Sequence, residues 1–243
     1  MISADRLKGA AGLLLDLLYP RSCQHCGAPA NGTRFFCWEC LSDFQYIQPP
    51  YCSRCGDPVP GHIDHEYLCV FCSRRTPHFD GARSAVRYDG VAGLAVRSVK
   101  YHSATWLIPD LGDLLEACYD THYSLLSFDG VCYVPLHAVK QRERGFNQAA
   151  QLAVELARRI RVRLLHDVMK RVRDTGSQTR LTASERASNV AGVFTVRRPK
   201  DVRGRKLLLI DDVMTTGATV NECARVLKKA GAESVHVLTV ARG

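Results

Sequence analysis

The sequence predicts an α/β protein, with a body built on a mostly parallel sheet with helices and preceded by a small Cys-rich module. From residue 82 onward, apolar strand-like runs alternate with stretches of helical periodicity, which is the order that parallel sheets need. Before residue 73, eight of the 11 Cys residues fall in a segment that has only short apolar pieces. The length of 243 residues suits one large domain and a small module.

Residues 1–19 are predicted to form an amphipathic helix, because apolar residues recur at helical spacing between Leu7 and Leu18. Asp16 interrupts the apolar part, and Pro20 follows where a signal peptide needs small residues. No apolar run reaches the roughly 18 residues of a membrane-spanning helix. We therefore expect a cytoplasmic protein whose first helix packs on the rest. Docking of this helix on the inner membrane surface is the alternative.

Residues 20–75 contain four C-x-x-C pairs, which are typical of metal sites in a cytoplasmic protein. The pairs are Cys23/Cys26, Cys37/Cys40, Cys52/Cys55 and Cys69/Cys72. Two pairs supply the four thiolates of a structural zinc ion, so the sequence predicts two zinc ions. Consecutive pairing gives a double zinc ribbon, and a cross-braced arrangement of the first pair with the third is the alternative. Four Cys ligands leave no open position on the metal, so the predicted role is structural.

The body, residues 80–243, is predicted to alternate between strands and helices. The predicted strands are Ala82–Tyr88, Val131–Pro135, Leu164–Val172, Lys206–Ile210 and Ser234–Val240. The predicted helices run from Gly90 to Tyr101, from Pro109 to Tyr123, from Asn147 to Ile160 and from Ala218 to Ala230. A Pro in the first turn of the second helix and Gly231 after the last one are typical helix boundaries.

The net charge of +9 is distributed unevenly along the chain. Between residues 140 and 206 there are 18 basic and 6 acidic residues, a net charge of +12, whereas the remainder carries −3. Such a block predicts an anionic partner, either the phosphate groups of a small ligand or a nucleic-acid backbone. The alternative is a solvated helix face, to which Arg158, Arg159, Arg161 and Arg163 could belong.

The run KLLLIDDVMTTGATV, which begins at Lys206, carries the strongest functional signal. Its apolar strand brings Asp211 and Asp212 to the carboxyl edge of the sheet, where open α/β sheets bind ligands. Thr215–Thr219, which we call the phosphate cradle, lead directly into a helix, whose first backbone N–H groups form an anion site together with the Thr hydroxyls. The cradle lacks the Lys-Ser/Thr ending of a nucleoside triphosphatase loop. Acids beside a monophosphate site fit a ribose 5-phosphate.

This run resembles the phosphoribosyl-pyrophosphate (PRPP) binding motif of type I phosphoribosyltransferases. Over nearly its whole length the chain is similar to the ComF/GntX family, in which a double zinc ribbon precedes such a domain. The other segments that support the resemblance are Val134-Pro-Leu-His137, Arg144-Gly-Phe-Asn-Gln148, Arg173-Asp-Thr-Gly-Ser-Gln178, Leu181, Glu185-Arg186, Asn189-Val190 and Gly192-Val-Phe194. The resemblance implies a type I phosphoribosyltransferase-like fold.

The resemblance also implies roles for individual residues. Asp211 and Asp212 would hold the ribose, and the phosphate cradle would hold its 5-phosphate. The PRPP site would then comprise Asp211, Asp212, Val213, Met214, Thr215, Thr216, Gly217, Ala218 and Thr219. A pyrophosphate loop would form at Pro135, Leu136 and His137, and a closing loop at residues 173–190 would include Ser177 and Gln178.

Cations near the pyrophosphate would complete the machinery. Lys100 and Arg144 are the candidates for catalysis besides Asp211 and Asp212, and Lys100 is expected to face the pyrophosphate. The other candidates for a pyrophosphate clamp are Arg142, Arg173, Arg180 and Arg186.

Displacement of pyrophosphate at the anomeric carbon needs charge neutralisation and exclusion of water, but no covalent protein nucleophile. Mg²⁺ bound with PRPP is expected to supply part of that charge. The sequence therefore predicts a PRPP-binding phosphoribosyltransferase with an unknown acceptor. The alternative, which the resemblance implies, is a non-catalytic, PRPP-responsive protein that handles single-stranded DNA during DNA uptake with a helicase-like ATPase.

Overall fold

The computed structural model of the chain describes residues 21–30, 34–173 and 189–243. The predicted N-terminal helix lies outside these residues. So do four of the residues predicted for the closing loop and the pyrophosphate clamp: Ser177, Gln178, Arg180 and Arg186. Among the described residues, no helix combines the length and the apolar character that crossing a membrane would require.

The body is an α/β structure, as predicted. Its strands are β1 (Gly81–Arg87), β2 (Gly130–Tyr133), β3 (Met169–Arg171), β4 (Phe194–Val196), β5 (Lys206–Met214) and β6 (Ser234–Arg242). The Cys-rich module contains the short helices α1 (Trp38–Ser42) and α2 (Val70–Arg74). The helices of the body are α3 (Gly90–His102), α4 (Ile108–His122), α5 (Ala138–Arg144), α6 (Gln148–Ile160) and α7 (Ala218–Lys229). Four strands form a parallel sheet in the order β1-β6-β5-β2, and β3 pairs with β4 in a separate two-stranded antiparallel sheet.

Two predicted strands differ from the structure by more than two residues at one end. The strand predicted over Leu164–Val172 is wrong in extent: only β3 is a strand, and Leu164 forms an isolated bridge to Val131. Asp167, between them, has a positive φ of 49°, which extended backbone does not tolerate. The strand predicted to end at Ile210 instead continues to Met214, because β6 extends alongside it and keeps the ladder paired. Asp211 and Asp212 therefore lie inside β5.

The sheet is buried on both faces, as parallel sheets usually are. On one face, Leu208 and Ile210 of β5 belong to a core formed with α3, α4 and α6. On the other face, Leu207 and Leu209 belong to a second core formed with α7 and the β3–β4 sheet. Successive side chains of a strand point to opposite faces, so a continuous apolar run fills both cores.

Each Cys-rich half packs against a different core. The first half, whose Phe36 is fully buried, joins the α3, α4 and α6 side, and the Phe35 N–H donates to Asp110 Oδ2 at 2.8 Å. The second half joins the α7 side, and the Ala82 N–H donates to the carbonyl oxygen of Arg54 at 2.8 Å. Gly56 has a φ of 68°, and a Cβ there would lie 2.7 Å from the Ala82 oxygen. This turn can therefore approach β1 only with glycine.

Candidate functional site

The eight Cys residues of the four pairs form two separate groups. Cys23, Cys26, Cys37 and Cys40 make up the first, and within each group all sulfur atoms lie within 4.8 Å of one another. The second comprises Cys52, Cys55, Cys69 and Cys72. Pairing is therefore consecutive, and the cross-braced alternative is wrong. We call the two units the first ribbon and the second ribbon.

Both groups have the geometry of a tetrahedral zinc site. The sulfur atoms of Cys26 and Cys37 are 3.6 Å apart, as are those of Cys55 and Cys69. Four thiolates at about 2.3 Å from a zinc ion are separated by about 3.8 Å. Burial raises the pKa of Cys55 to about 12, although the Arg242 guanidinium acts in the opposite direction. Four thiolates can coexist there only beside a cation, so the two groups fit two structural zinc ions.

A cleft of about 710 Å³ opens at the carboxyl ends of the strands, where Tyr88 follows β1, Val134 follows β2 and Asp211 lies in the last half of β5. Its position agrees with the rule that parallel sheets bind ligands at this edge. Nine of its lining residues carry polar or charged side chains and come from outside these strand ends: Lys100, Tyr101, Ser103, Lys140, Glu143, Arg144, Gln148, Arg171 and Thr219.

The cleft brings together many of the predicted site residues. It is lined by Asp211, Asp212, Val213, Thr215, Thr219, Pro135, Leu136, Lys100 and Arg144. The remaining described members of the predicted PRPP site lie beside it. His137 occupies the N-cap position of α5 without a side-chain hydrogen bond to the helix, Met214 and Gly217 are buried, and Thr216 and Ala218 line a neighbouring cavity. Among the described residues, Arg142 and Arg173 do not line the cleft, and Arg173 donates to the Ala191 carbonyl oxygen at 2.6 Å. The functional roles of all these residues stay predictions.

The two adjacent acids differ in their surroundings, because neighbouring residues of a strand point to opposite sides. Asp212 is buried, and its Oδ2 lies 2.8 Å from Lys100 Nζ. Burial alone would lower the pKa of Lys100. The Asp212 carboxylate outweighs this effect, so the pKa of Lys100 is raised. The ammonium group that was expected to face the pyrophosphate thus neutralises Asp212.

Asp211 keeps some exposure to the cleft but is otherwise enclosed by protein. Burial raises the pKa of Asp211 to about 8, and the neighbouring Asp212 charge adds to the rise while Lys100 opposes it. The Asp211 carboxyl is oriented by the Asp212 N–H, which donates to Oδ1 at 2.9 Å. Of the two acids, Asp211 is the one that faces the cleft, and a cation brought by a ligand would favour its charged form.

The phosphate cradle has the backbone geometry of an anion site. Gly217 has a φ of 74° and is the residue immediately before α7. Thr216 Oγ1 accepts from the Ala218 N–H at 3.4 Å, and the N–H groups of the first turn of α7 are oriented toward the loop, as at any helix N-terminus. The positive end of the α7 dipole adds to the attraction for a phosphate. A Cβ on Gly217 would also lie 2.6 Å from Met214 Cε.

Three basic residues, Arg144, Lys140 and Arg171, also line the cleft. Arg144 donates to Gln148 Oε1, and its guanidinium lies 5.8 Å from the ring centre of Tyr101. Lys140 and Arg171 were not predicted as site residues. Both belong to the basic stretch, but only the positions of α5 and β3 bring them to the cleft.

Part of the basic stretch is structural. Arg159 donates to Glu155, Asp113 and Glu116 and to the Pro109 carbonyl oxygen, so it holds α6 against α4. The alternative that Arg159 belongs to a solvated helix face is therefore wrong.

Comparison with known proteins agrees with this architecture. Residues 14–73 match the double zinc ribbon domain, and residues 147–243 match the phosphoribosyl transferase domain. Competence protein F of Haemophilus influenzae is 31% identical over 229 residues, covering 90% of this chain and 96% of that protein. The chain belongs to the competence protein F family. This confirms the double zinc ribbon, the phosphoribosyltransferase-like fold and the ComF resemblance.

The family also includes relatives that carry another name. DNA utilization protein YhgH of Escherichia coli (strain K12) is 29% identical, covering 93% of this chain and 99% of that protein. Among solved structures, the glutamine PRPP amidotransferase from B. subtilis complexed with ADP and GMP is 20% identical, with a TM-score of 0.37. That match covers 54% of this chain and 25% of the amidotransferase chain.

Proposed function

We propose that the cleft binds PRPP and that the protein transfers its phosphoribosyl group to an acceptor. One observation carries the proposal: the phosphate cradle, the Asp211–Asp212 pair and the Pro135–Leu136 turn border the same cleft at the carboxyl edge of the sheet. In this order, the three features suit the phosphate, the ribose hydroxyls and the pyrophosphate of one PRPP molecule.

In this proposal the two acids act differently. Asp211 accepts hydrogen bonds from the ribose hydroxyls, while Asp212, neutralised by Lys100, fixes the backbone and side chain beside it. Arg144, Lys140 and Arg171 offset the charge of the pyrophosphate. Mg²⁺ bound with PRPP, near Asp211, would neutralise further negative charge, since it prefers oxygen ligands.

The proposed reaction breaks the bond between the anomeric carbon and the pyrophosphate oxygen. The pyrophosphate leaves with the electron pair, and the acceptor nucleophile forms a new bond to the carbon and releases its proton to water. Positive charge develops on the sugar, and the Asp211 carboxylate stabilises it electrostatically.

Calorimetric titration with PRPP and Mg²⁺ tests the binding step. We expect Asp211→Ala with Asp212→Ala to lower the affinity about a hundredfold or more, since the two charge-assisted hydrogen bonds that Asp211 accepts from the ribose hydroxyls are lost. Thr216→Val should weaken binding separately. The control Asp64→Ala changes an exposed acid that does not line the cleft. Unchanged affinity in the double variant would refute the assignment, and pyrophosphate release in a metabolite extract would report turnover.

A second candidate function is the handling of single-stranded DNA, with or without turnover of PRPP. Basic residues of the stretch are exposed away from the cleft: Arg161, Arg163, Lys170, Arg197, Arg198, Lys200 and Arg203. Single-stranded DNA would bind such residues through its phosphates without regard to its base sequence. The affinity would therefore fall steeply as the salt concentration rises. In this proposal the protein works in the cytoplasm or at the inner membrane surface with a helicase-like ATPase. Binding that does not depend on salt would contradict it.

A further inference from the structure

Arg242, the last residue of β6, connects the second ribbon to the strand ends that border the cleft. Its guanidinium group contacts the ribbon: Nη2 lies 2.9 Å from Asp57 Oδ1, and Nη1 donates to the Cys55 carbonyl oxygen at 3.3 Å. The same group lies 3.9 Å from Cys55 Sγ, one of the four sulfur atoms of the second Cys group. The Arg242 side chain is only 10% exposed, so the guanidinium group is largely shielded from water.

The backbone of Arg242 contacts two strand ends at the cleft. Its carbonyl oxygen accepts from the N–H of Tyr88, which lines the cleft, at 2.6 Å. Arg242 is also the register partner of Met214 in the β5–β6 ladder, and the N–H of Gly243 donates to the Met214 carbonyl oxygen at 3.1 Å. That carbonyl group belongs to the peptide bond that leads into Thr215, the first residue of the phosphate cradle. Arg242 therefore connects the second Cys group to the start of the cradle.

Met214 contacts the cradle a second time, through its side chain. This side chain is buried, and its Cε lies 2.6 Å from the position that a Cβ on Gly217 would occupy. A shift of Met214 would therefore displace the cradle backbone, whose N–H groups must be held in place to bind a phosphate. Arg242 keeps Met214 in register with β6, so it positions the cradle without lying in it.

The ribbon end of this connection depends on zinc. Four thiolates around one Zn²⁺ retain a net negative charge, which attracts the Arg242 guanidinium together with the Asp57 carboxylate. Small metal-binding modules take much of their folding free energy from the metal. When the second ribbon loses its zinc ion, the turn that carries Cys55 and Asp57 loses this constraint, and Arg242 loses the partners that hold it.

We propose that zinc in the second ribbon and a phosphate in the cradle strengthen each other's binding, and that Arg242 is the positioning residue between the two sites. The inference rests on the proposed function of the cleft. The two states are a ribbon that holds Arg242 in place and a ribbon that releases it, and both ligands favour the first state. The first ribbon packs in the other core of the sheet, so its zinc ion should not take part.

Competition with a chelator measures this coupling on the full chain. Cys40→Ser leaves the second ribbon as the intact zinc site, and Cys72→Ser leaves the first. Ribose 5-phosphate is the probe, because in this proposal the cradle binds it without the Mg²⁺ that a chelator would remove. In Cys40→Ser, saturating ribose 5-phosphate should raise the zinc affinity about fivefold or more, as is typical of coupled sites, and in Cys72→Ser it should change nothing. In the wild type, one of the two zinc ions should become harder to remove.

The coupling is reciprocal, which gives a second measurement. Removing zinc from the second ribbon should lower the affinity for ribose 5-phosphate by the same factor, as calorimetry measures it. Arg242→Met should also lower this affinity, and it should abolish the effect of saturating ribose 5-phosphate on zinc.

Arg83→Met is the matched control. Arg83 Nη2 also connects the body to the second ribbon, since it donates to the Ser53 carbonyl oxygen at 2.9 Å, but Arg83 lies in the first half of β1, away from the carboxyl edge. This variant should keep the coupling. If ribose 5-phosphate binds but leaves the zinc affinity unchanged, or if both Arg variants lose the coupling equally, the inference is wrong. If ribose 5-phosphate does not bind the wild type, the proposed function fails and the inference falls with it.

Discussion

The ion pair between Lys100 and Asp212 makes the sharpest prediction about stability. Lys100→Met keeps a long apolar stem but removes the ammonium group 2.8 Å from the carboxylate. The Asp212 side chain is 6% exposed and that of Lys100 is 19% exposed, so water cannot replace the lost partner without rearrangement. The variant therefore leaves a buried negative charge beside a second acid, Asp211.

The size of the effect follows from this geometry. Two unit charges 2.8 Å apart interact by about 6 kcal/mol at an effective dielectric constant of about 20, before any cost of removing them from water. Removing one member of a buried pair typically lowers the free energy of unfolding by about 3–5 kcal/mol. At a urea dependence of about 3 kcal/mol per molar, the unfolding midpoint of Lys100→Met should fall by about 1–1.7 M.

Urea unfolding at pH 7.5 with zinc present measures this shift. Lys229→Met is the control, because Lys229 is an exposed lysine in the last turn of α7 and should change the free energy by less than about 0.5 kcal/mol. Combining Lys100→Met with Asp212→Asn should recover most of the loss, since no unpaired charge remains. A midpoint like that of the wild type for Lys100→Met alone would refute the reasoning, and so would a double variant as unstable as the single one.

Three other predictions follow from single residues. Elemental analysis should find two zinc ions per chain, one after Cys40→Ser or Cys72→Ser, and two after Cys118→Ser; a value near zero in the wild type would contradict both sites. Because burial raises the pKa of Asp211 to about 8 from an ordinary 3.8, the folded state holds this proton more tightly, and stability is lost as pH rises through that window. Asp211→Asn should therefore raise the free energy of unfolding more at pH 8.5 than at pH 5, and an equal gain at both would count against the assignment. Gly217→Ala should lower the free energy of unfolding in urea by about 1–2 kcal/mol, because the φ of 74° is unfavourable for Ala, and by more if Met214 cannot move. An unchanged free energy of unfolding would show that the cradle relaxes.

Local sequence patterns predicted those elements that depend on a few neighbouring residues. The C-x-x-C knuckles, the apolar run at Leu207–Ile210 and the periodicity of α6 each predicted their structure, because turn chemistry and side-chain period act over a few residues. The same patterns missed α5 and β4, two short elements, and ended β5 at Ile210. Two adjacent acidic residues after an apolar run predict the end of a strand. In the structure, however, β5 stays paired with β6 past Asp211 and Asp212.

The sequence by itself determined the two halves of the protein, the eight metal-binding Cys residues and the position of the phosphate cradle at a strand end. Only the tertiary structure decided which Cys pairs share a zinc site, because consecutive and cross-braced arrangements have the same spacing along the chain. It also decided that Lys100, 112 residues before Asp212, neutralises this acid and leaves Asp211 to face the cleft. Such a pairing depends on which face of a helix packs beside which strand end. No local sequence pattern predicts that two residues so far apart in the chain lie close together in space.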